Sequence, residues 1–174
     1  MVLSEINLIK LSILPVFFLL LLSLSGCSAD EEQNRLKIGD PAPTFQAQDI
    51  NGKTIDLEAF HNQPVVLRFF YPNCQYCRAD TAIFNDYYDR FKGKGLHIIY
   101  LNTSPNSEDL RQFVDDLHIK FPVIWDAKMK VANKYRVKMV PQAIVINPDH
   151  KIIAAILGGV GKEQLDSLLG KFLK

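Results

Sequence analysis

Residues 65–77 read VVLRFFYPNCQYC. Val65 to Tyr71 form a nearly continuous apolar run between Pro64 and Pro72, broken only by Arg68. Such a run, bounded by prolines, predicts a strand buried on both faces. From Cys74 to Phe91 the pattern changes period. Ala79, Ile83 and Tyr87 recur four apart, with Phe84, Tyr88 and Phe91 on an adjacent stripe, which predicts an amphipathic helix. Gly93 and Gly95 end it. A buried strand therefore runs into a helix, and two cysteines sit at the junction.

Outward from this unit, strand and helix patterns alternate. Upstream, Thr44–Ile50 and Lys53–Leu57 flank Asn51-Gly52 and read as a hairpin, since that pair supplies the positive φ of a tight turn. Residues 56–61 read as a short helical turn. Downstream, Leu96–Leu101 (LHIIYL) reads as a second buried strand. Asn106 or Ser107 can cap a helix reaching Leu117. Phe121–Trp125 reads as a short strand, Lys128–Tyr135 as a short helix, and Gln142–Ile146 as a strand. Asn147-Pro148-Asp149-His150 turns the chain into Lys151–Leu157. Gly161 or Lys162 opens a final helix to Leu173. This order predicts an α/β domain: a central mixed sheet with helices on both faces, plus an added N-terminal β-hairpin. Crossovers should be right-handed, and the last two strands antiparallel.

The chain has 174 residues, and 48% of them are apolar. Twenty basic and nineteen acidic residues leave a formal net charge of +1, which argues against a nucleic-acid binder. Three cysteines are an odd number, and too few for a disulfide-built scaffold. Apolar residues concentrate at the start. Leu11 to Leu24 is an uncharged stretch of 14 residues, shorter than the roughly 20 needed to span a bilayer. It fits the apolar region of a secretory signal. Leu24-Ser25-Gly26-Cys27 then resembles the bacterial lipobox, in which cleavage precedes the cysteine and a lipid is attached to its sulfur. The competing reading is an uncleaved anchor with an incidental Cys27. The expected organisation is a lipoprotein signal at 1–26, a lipidated polar tether at 27–37 and one domain at 38–174. Ten extended tether residues reach at most about 36 Å, so the domain should stay near its membrane. The expected place is outside the cytoplasm of a bacterium, anchored to the periplasm-facing outer or inner membrane or to the outer face of a plasma membrane. Ser28 resembles the outer-membrane sorting pattern, whereas in a single-membrane cell it means the outer face of the plasma membrane.

The chemistry is clearest at Cys74-Gln75-Tyr76-Cys77. Positions three apart share one side of a helix, so the two sulfurs can meet. Cys74 sits at the helix N-terminus, where free amides and the helix dipole stabilise a thiolate. It is the candidate nucleophile in disulfide exchange. Cys77, one turn in, is the candidate resolving cysteine. Half of a zinc site would want another ligand pair, and His61, His97, His118 and His150 are scattered. A structural disulfide across so small a loop would constrain the unfolded chain little.

The stretches KIGDPAPTFQAQDINGKTIDL, VVLRFFYPNCQYCRAD, FPVIWD, MVPQAIVINPDHKII and Gly158-Gly159 together resemble a known family. It is the thioredoxin-like family of extracytoplasmic thiol-disulfide oxidoreductases, closest to its TlpA-like, membrane-anchored branch, related to the AhpC/TSA peroxiredoxins. The resemblance spans about Lys37 to Leu173. It implies a thioredoxin fold, an active pair at Cys74 and Cys77, and a cis peptide at Val140-Pro141 facing that pair. A proline there leaves neighbouring backbone polar groups available to a substrate strand. It further implies protein disulfide substrates, apocytochrome c or misoxidised proteins among them. A reductase outside the cytoplasm needs a membrane electron donor, because the compartment is oxidising. No cofactor beyond the Cys74–Cys77 disulfide is expected, no metal, and a monomer.

Three departures from the family stand out. Asn73 replaces the usual Trp, and Tyr71-Pro72 replaces small residues. Phe70-Tyr71-Pro72 ahead of a cysteine resembles peroxiredoxins, but those need Thr or Ser three residues before the reactive cysteine; Tyr71 precedes Cys74 by three and Cys74 precedes Cys77 by three, which demotes peroxidase activity to an alternative. Arg68 stands where thioredoxin carries a buried acid. Alternation puts Arg68 on the face of Val66 and Phe70, under the helix, where Asp80 follows Cys77 by three. Arg68 and Asp80 should pair there, holding Asp80 ionised; the alternative is that Arg68 snorkels outward. Gln75-Tyr76 between the cysteines is an uncommon pair and helps set the potential, with Tyr76 a modulating residue. Met139 beside Val140 could face a soft metal, as in copper-delivery relatives; packing at the core or rim is the plainer reading. Trp125 should be sheet-edge core, the helix tyrosines should sit on the rim, and Asp115-Asp116 should be a solvated face.

Overall fold

The computed structural model describes residues 36–174. The signal segment 1–26, Cys27 and all of the tether except its last two residues lie outside the described residues. Among those described, no helix is long and apolar enough to cross a membrane.

The hairpin pairs β1 (Gln46–Gln48) with β2 (Thr54–Asp56) antiparallel. Its turn is wider than a two-residue Asn-Gly loop. Asp49 Oδ1 accepts the amides of Asn51 and Lys53, both at 2.9 Å, so only Gly52 takes positive φ. A 3-10 turn over Leu57–Phe60 leads toward β3 (Val65–Phe70). Then follow α1 (Gln75–Phe91), β4 (His97–Asn102), α2 (Leu110–Asp116), β5 (Val123–Trp125), α3 (Lys130–Lys134), β6 (Gln142–Ile146), β7 (Ile152–Leu157) and α4 (Lys162–Leu169). The sheet order is β5-β4-β3-β6-β7. β3 runs parallel to β4, and β4 to β5; β6 is antiparallel to both β3 and β7. This mixed sheet flanked by helices, with a separate N-terminal hairpin, is a thioredoxin fold. The hairpin docks at the outer edge, where the Ile50 amide donates to Val123 O at 2.8 Å.

Every residue of β3 is buried, as expected of a central strand. Val66 and Phe70 pack with Cys77, Phe84 and Tyr87 of α1. Val65, Leu67 and Phe69 pack with Val131, Ala132 and Tyr135 on the other face.

Several local expectations are corrected. Ala79 is exposed, and Tyr87 is fully buried rather than on the rim. The inward face of α1 is Cys77, Asp80, Thr81, Phe84 and Tyr87, rotated by one position from the apolar stripe, because two polar residues have partners inside. Burial and Asp166 push the Tyr87 hydroxyl up to about 12. α2 starts at Leu110 after Asp109, not at Asn106 or Ser107. Asn106 Oδ1 instead accepts the Glu108 amide at 2.8 Å, a local turn that competes with capping. α4 ends at Leu169, and a 3-10 turn follows over Gly170–Phe172. Trp125 is 45% exposed, because β5 is a short outer strand that ends there. Asp116 is not merely solvated; it pairs with Arg78 at 3.0 Å. His150 is buried and stacks on His61.

Candidate active site

Cys74 is the N-cap of α1, with extended φ and ψ. Its Sγ accepts the backbone N–H of Cys77 at 3.1 Å. Cys74 and Cys77 are joined as a disulfide, with Cα atoms 5.2 Å apart. Cys77 is buried and Cys74 half-buried, so attack from solvent must come through Cys74. Between them, Gln75 is exposed and Tyr76 is 72% exposed. The helix starts here because the extended residues after β3 turn at Tyr71, whose carbonyl accepts the Cys74 amide at 3.1 Å. Free amides at a helix start favour a negative sulfur.

Beneath the disulfide lies a buried ion pair. Arg68 is wholly enclosed, and its Nη2 donates to Asp80 Oδ2. Arg68 Nη1 donates to Gly158 O at 2.9 Å. Asp80 Oδ2 also accepts the Val160 amide at 3.0 Å. The Arg68 guanidinium lies over the Phe84 ring, 5.4 Å from its centre. Asp80 Oδ1 and Arg68 Nε make no hydrogen bond among the described residues. Burial pushes the Asp80 carboxyl above the ordinary carboxylate range, while Arg68 and the Val160 amide pull it back. The picture of a partner that simply holds Asp80 ionised therefore lacks this opposing effect. Burial likewise lowers Arg68, against Asp80. Next along α1, Thr81 Oγ1 donates to Cys77 O at 2.7 Å and lies 3.3 Å from the Tyr100 hydroxyl.

The third part is the loop into β6. The Val140-Pro141 peptide is cis. Gln142 stands opposite Phe69 of β3, so Pro141 and the segment after Phe70 leave the same end of neighbouring strands. Adjacent strands lie about 4.8 Å apart, so this loop and the segment leading to Cys74 start from neighbouring positions at one end of the sheet. Pro141 O accepts the Gly158 amide at 2.8 Å. Gly158 has φ of +98°, a conformation suited to glycine, and both its amide and its carbonyl are used. A chain of contacts thus runs from Asp80 through Arg68 and Gly158 to Pro141. Sequence reasoning missed the 158–160 turn as part of the site. The Gly158-Gly159 pair was its only signal.

The remaining candidates are less enclosed. Val140 is half-buried, while Met139 is 61% exposed on the rim. Among the described residues, no three His, Cys, Asp or Glu side chains converge on a metal site. Cys27 lies outside the described residues.

The AhpC/TSA family matches residues 38–155 of this chain. The chain belongs to that family. It is similar to the thiol-disulfide oxidoreductase ResA of Bacillus anthracis, 34% identical over 146 residues, which cover 84% of this chain and 83% of the relative. ResA of Bacillus subtilis (strain 168) is 29% identical over 120 residues, covering 69% and 67%. Among solved structures, a candidate thiol:disulfide interchange protein DsbE from Chlorobium tepidum superposes with a TM-score of 0.74 at 26% identity, covering 80% of this chain and 99% of that one. The thioredoxin domain of a thiol-disulfide oxidoreductase from Bacteroides vulgatus gives 0.70 at 25% identity, with the same coverage. Within the AhpC/TSA family, then, this is a thioredoxin-like protein disulfide oxidoreductase.

Proposed function

We propose that this AhpC/TSA-family protein is a lipid-anchored, extracytoplasmic reductase of protein disulfides, working through Cys74 and Cys77. The observation that carries the reading is the half-buried Cys74 sulfur at the start of α1, hydrogen-bonded by the Cys77 amide. In the reduced protein, the Cys74 thiolate attacks one sulfur of a substrate disulfide. A mixed disulfide forms, and the other substrate sulfur leaves as a thiolate. Cys77, deprotonated, then attacks Cys74 Sγ, releasing the second substrate thiol and forming the Cys74–Cys77 disulfide. Two electrons and two protons pass to the substrate. Pro141 and Val140 offer the backbone beside which a substrate strand lies. Arg68 and Asp80 modulate Cys77 from below, and Tyr76 covers the solvent side.

Residues 1–26 act as the signal and residues 27–37 as the tether, with the lipid on Cys27 and the catalytic domain at 38–174. A membrane protein returns electrons to the pair, and substrates are misoxidised proteins or apocytochrome c. Reduction of insulin disulfides by dithiothreitol tests the activity: wild type accelerates precipitation and Cys74→Ser does not. Cys77→Ser should instead trap substrate in a mixed disulfide, visible on a non-reducing gel. A reduction potential near thioredoxin's, about −270 mV, supports the reducing direction, and one near −120 mV overturns it. Release of Cys27→Ala from the membrane fraction tests the anchor. Peroxidase activity is a second reading, favoured by the AhpC/TSA match, and peroxide consumption by the reduced protein tests it.

A further inference from the structure

The chain from Ala127 to Pro148 carries five basic residues and no acidic one. All five fall within Lys128–Lys138, in a protein whose formal net charge is only +1. This segment leaves the end of β5 and returns as β6, so it crosses the end of the sheet that carries the disulfide. Three strand spacings, about 14 Å, separate its start from its finish. Lys138 is three residues from Pro141, within about 11 Å along the chain. Val131, Ala132, Tyr135 and Val137 anchor the segment in the core, and the Tyr135 hydroxyl donates to Pro43 O at 2.7 Å. Its lysines are left on the outside: Lys128, Lys130, Lys134 and Lys138 are all exposed.

Some basic residues elsewhere meet carboxylates. Arg78, Arg90, Lys92, Lys120 and Lys162 each pair with an aspartate. None of the four segment lysines has a carboxylate within ion-pair distance among the described residues. Lys134 Nζ donates to the neutral Thr44 O at 2.7 Å. The one acid at the segment's start, Asp126, is buried and accepts the amides of Val131 and Ala132. Among the described residues, these four lysines therefore present positive charge at the end of the sheet where β3 leads into the disulfide helix.

We propose that this lysine-bearing segment selects protein disulfides flanked by acidic residues. The proposal rests on the disulfide-exchange reading and names the substrate class for it. A target strand laid beside Pro141 must pass the segment, and carboxylates next to its cysteine would meet the lysines. Such fields raise encounter rates and sharpen partner choice, and salt screens them over about 10 Å at 0.1 M.

The test uses pre-reduced protein and three peptides, each with one disulfide, whose flanking residues are Glu, Gln or Lys. Single-turnover rates are measured in 20 and 300 mM NaCl. The Glu peptide should react about tenfold faster than the Lys peptide in low salt, and the ratio should shrink in high salt. Lys130→Glu with Lys138→Glu should reverse the order, and Lys130→Arg with Lys138→Arg should keep it. Circular dichroism melts check that both variants fold. Equal rates for the Glu and Lys peptides, with the Gln peptide still reduced, overturn the proposal and leave the oxidoreductase reading standing. An unchanged preference in the double Glu variant overturns it too. Salt-sensitive binding to phosphatidylglycerol vesicles without any acidic preference overturns it in favour of a lipid surface. No reaction with any peptide removes the oxidoreductase reading, and this proposal with it.

Discussion

The two faces of β3 belong to one strand, yet they are built differently. Val65, Leu67 and Phe69 meet α3 through apolar contacts. On the opposite face, Val66 and Phe70 bracket Arg68, which brings a charge under α1. The apolar face stabilises the fold by burial, roughly 25 cal/mol for each Å² removed from water. The other face gains little net stability from its ion pair, because desolvating two charges offsets most of their attraction. What it gains is connection. Asp80 on α1, Gly158 after β7 and Pro141 before β6 are tied through one guanidinium and one turn. One face holds the domain together, while the other ties the disulfide helix to the loop that carries Pro141.

The comparison can be broken experimentally, starting with the largest effect. Cys74→Ser should lower insulin-disulfide reduction by roughly three orders of magnitude or more, since serine supplies no thiolate. Residual turnover near wild type would move the nucleophile elsewhere. Next, Arg68→Met should destabilise the domain by about 3–5 kcal/mol, because Asp80 is left buried and unpaired. Arg68→Met with Asp80→Leu should recover most of that loss in urea denaturation. If the single variant costs under about 1 kcal/mol, the two faces do not differ as described. Leu67→Ala, on the apolar face, should cost about 2–5 kcal/mol and should have no second-site partner that restores it. The reduction rate per folded molecule should be unchanged there and altered in Arg68→Met.

A smaller effect depends on pH. Asp80 holds its proton to higher pH in the folded protein than in the unfolded chain, because burial raises its carboxyl. From the unfolded value, about 3.9, up to the folded one, the folded state binds more protons. Stability should therefore fall as pH rises through that window and level off above it. In Asp80→Asn this slope should be missing from urea titrations between pH 4 and 8. The smallest effect is expected at Trp125→Ala, within about 0.5 kcal/mol, since the residue is exposed at the end of an outer strand.

Much of this was legible from pattern. Val65–Phe70 had to be a central strand, because a run apolar at both parities fits only a position covered on both sides. Arg68 and Asp80 could be placed together from two periods, two in the strand and three to four in the helix. The inward face of α1 was misjudged at Ala79 and Tyr87 because apolar periodicity assumes that polar residues face out. Asp80 and Thr81 face in, each with a partner supplied by distant sequence. The exposure of Trp125 was equally hidden, since it depends on β5 stopping there. Asn106 has the composition of a cap, and choosing between cap and turn depended on backbone geometry.

The sequence by itself determined the strand–helix junction, the cysteine spacing, the hairpin and the order of elements. These depend on contacts between neighbours in the chain, whose geometry is fixed by local periodicity and turn chemistry. Only the tertiary structure decided that Gly158 and Val160 complete the Arg68–Asp80 site, and that the basic segment 128–138 starts and finishes at the end of the sheet where β3 leads into the disulfide helix. Both unite residues dozens of positions apart, and only the sheet order β5-β4-β3-β6-β7 brings them to one end.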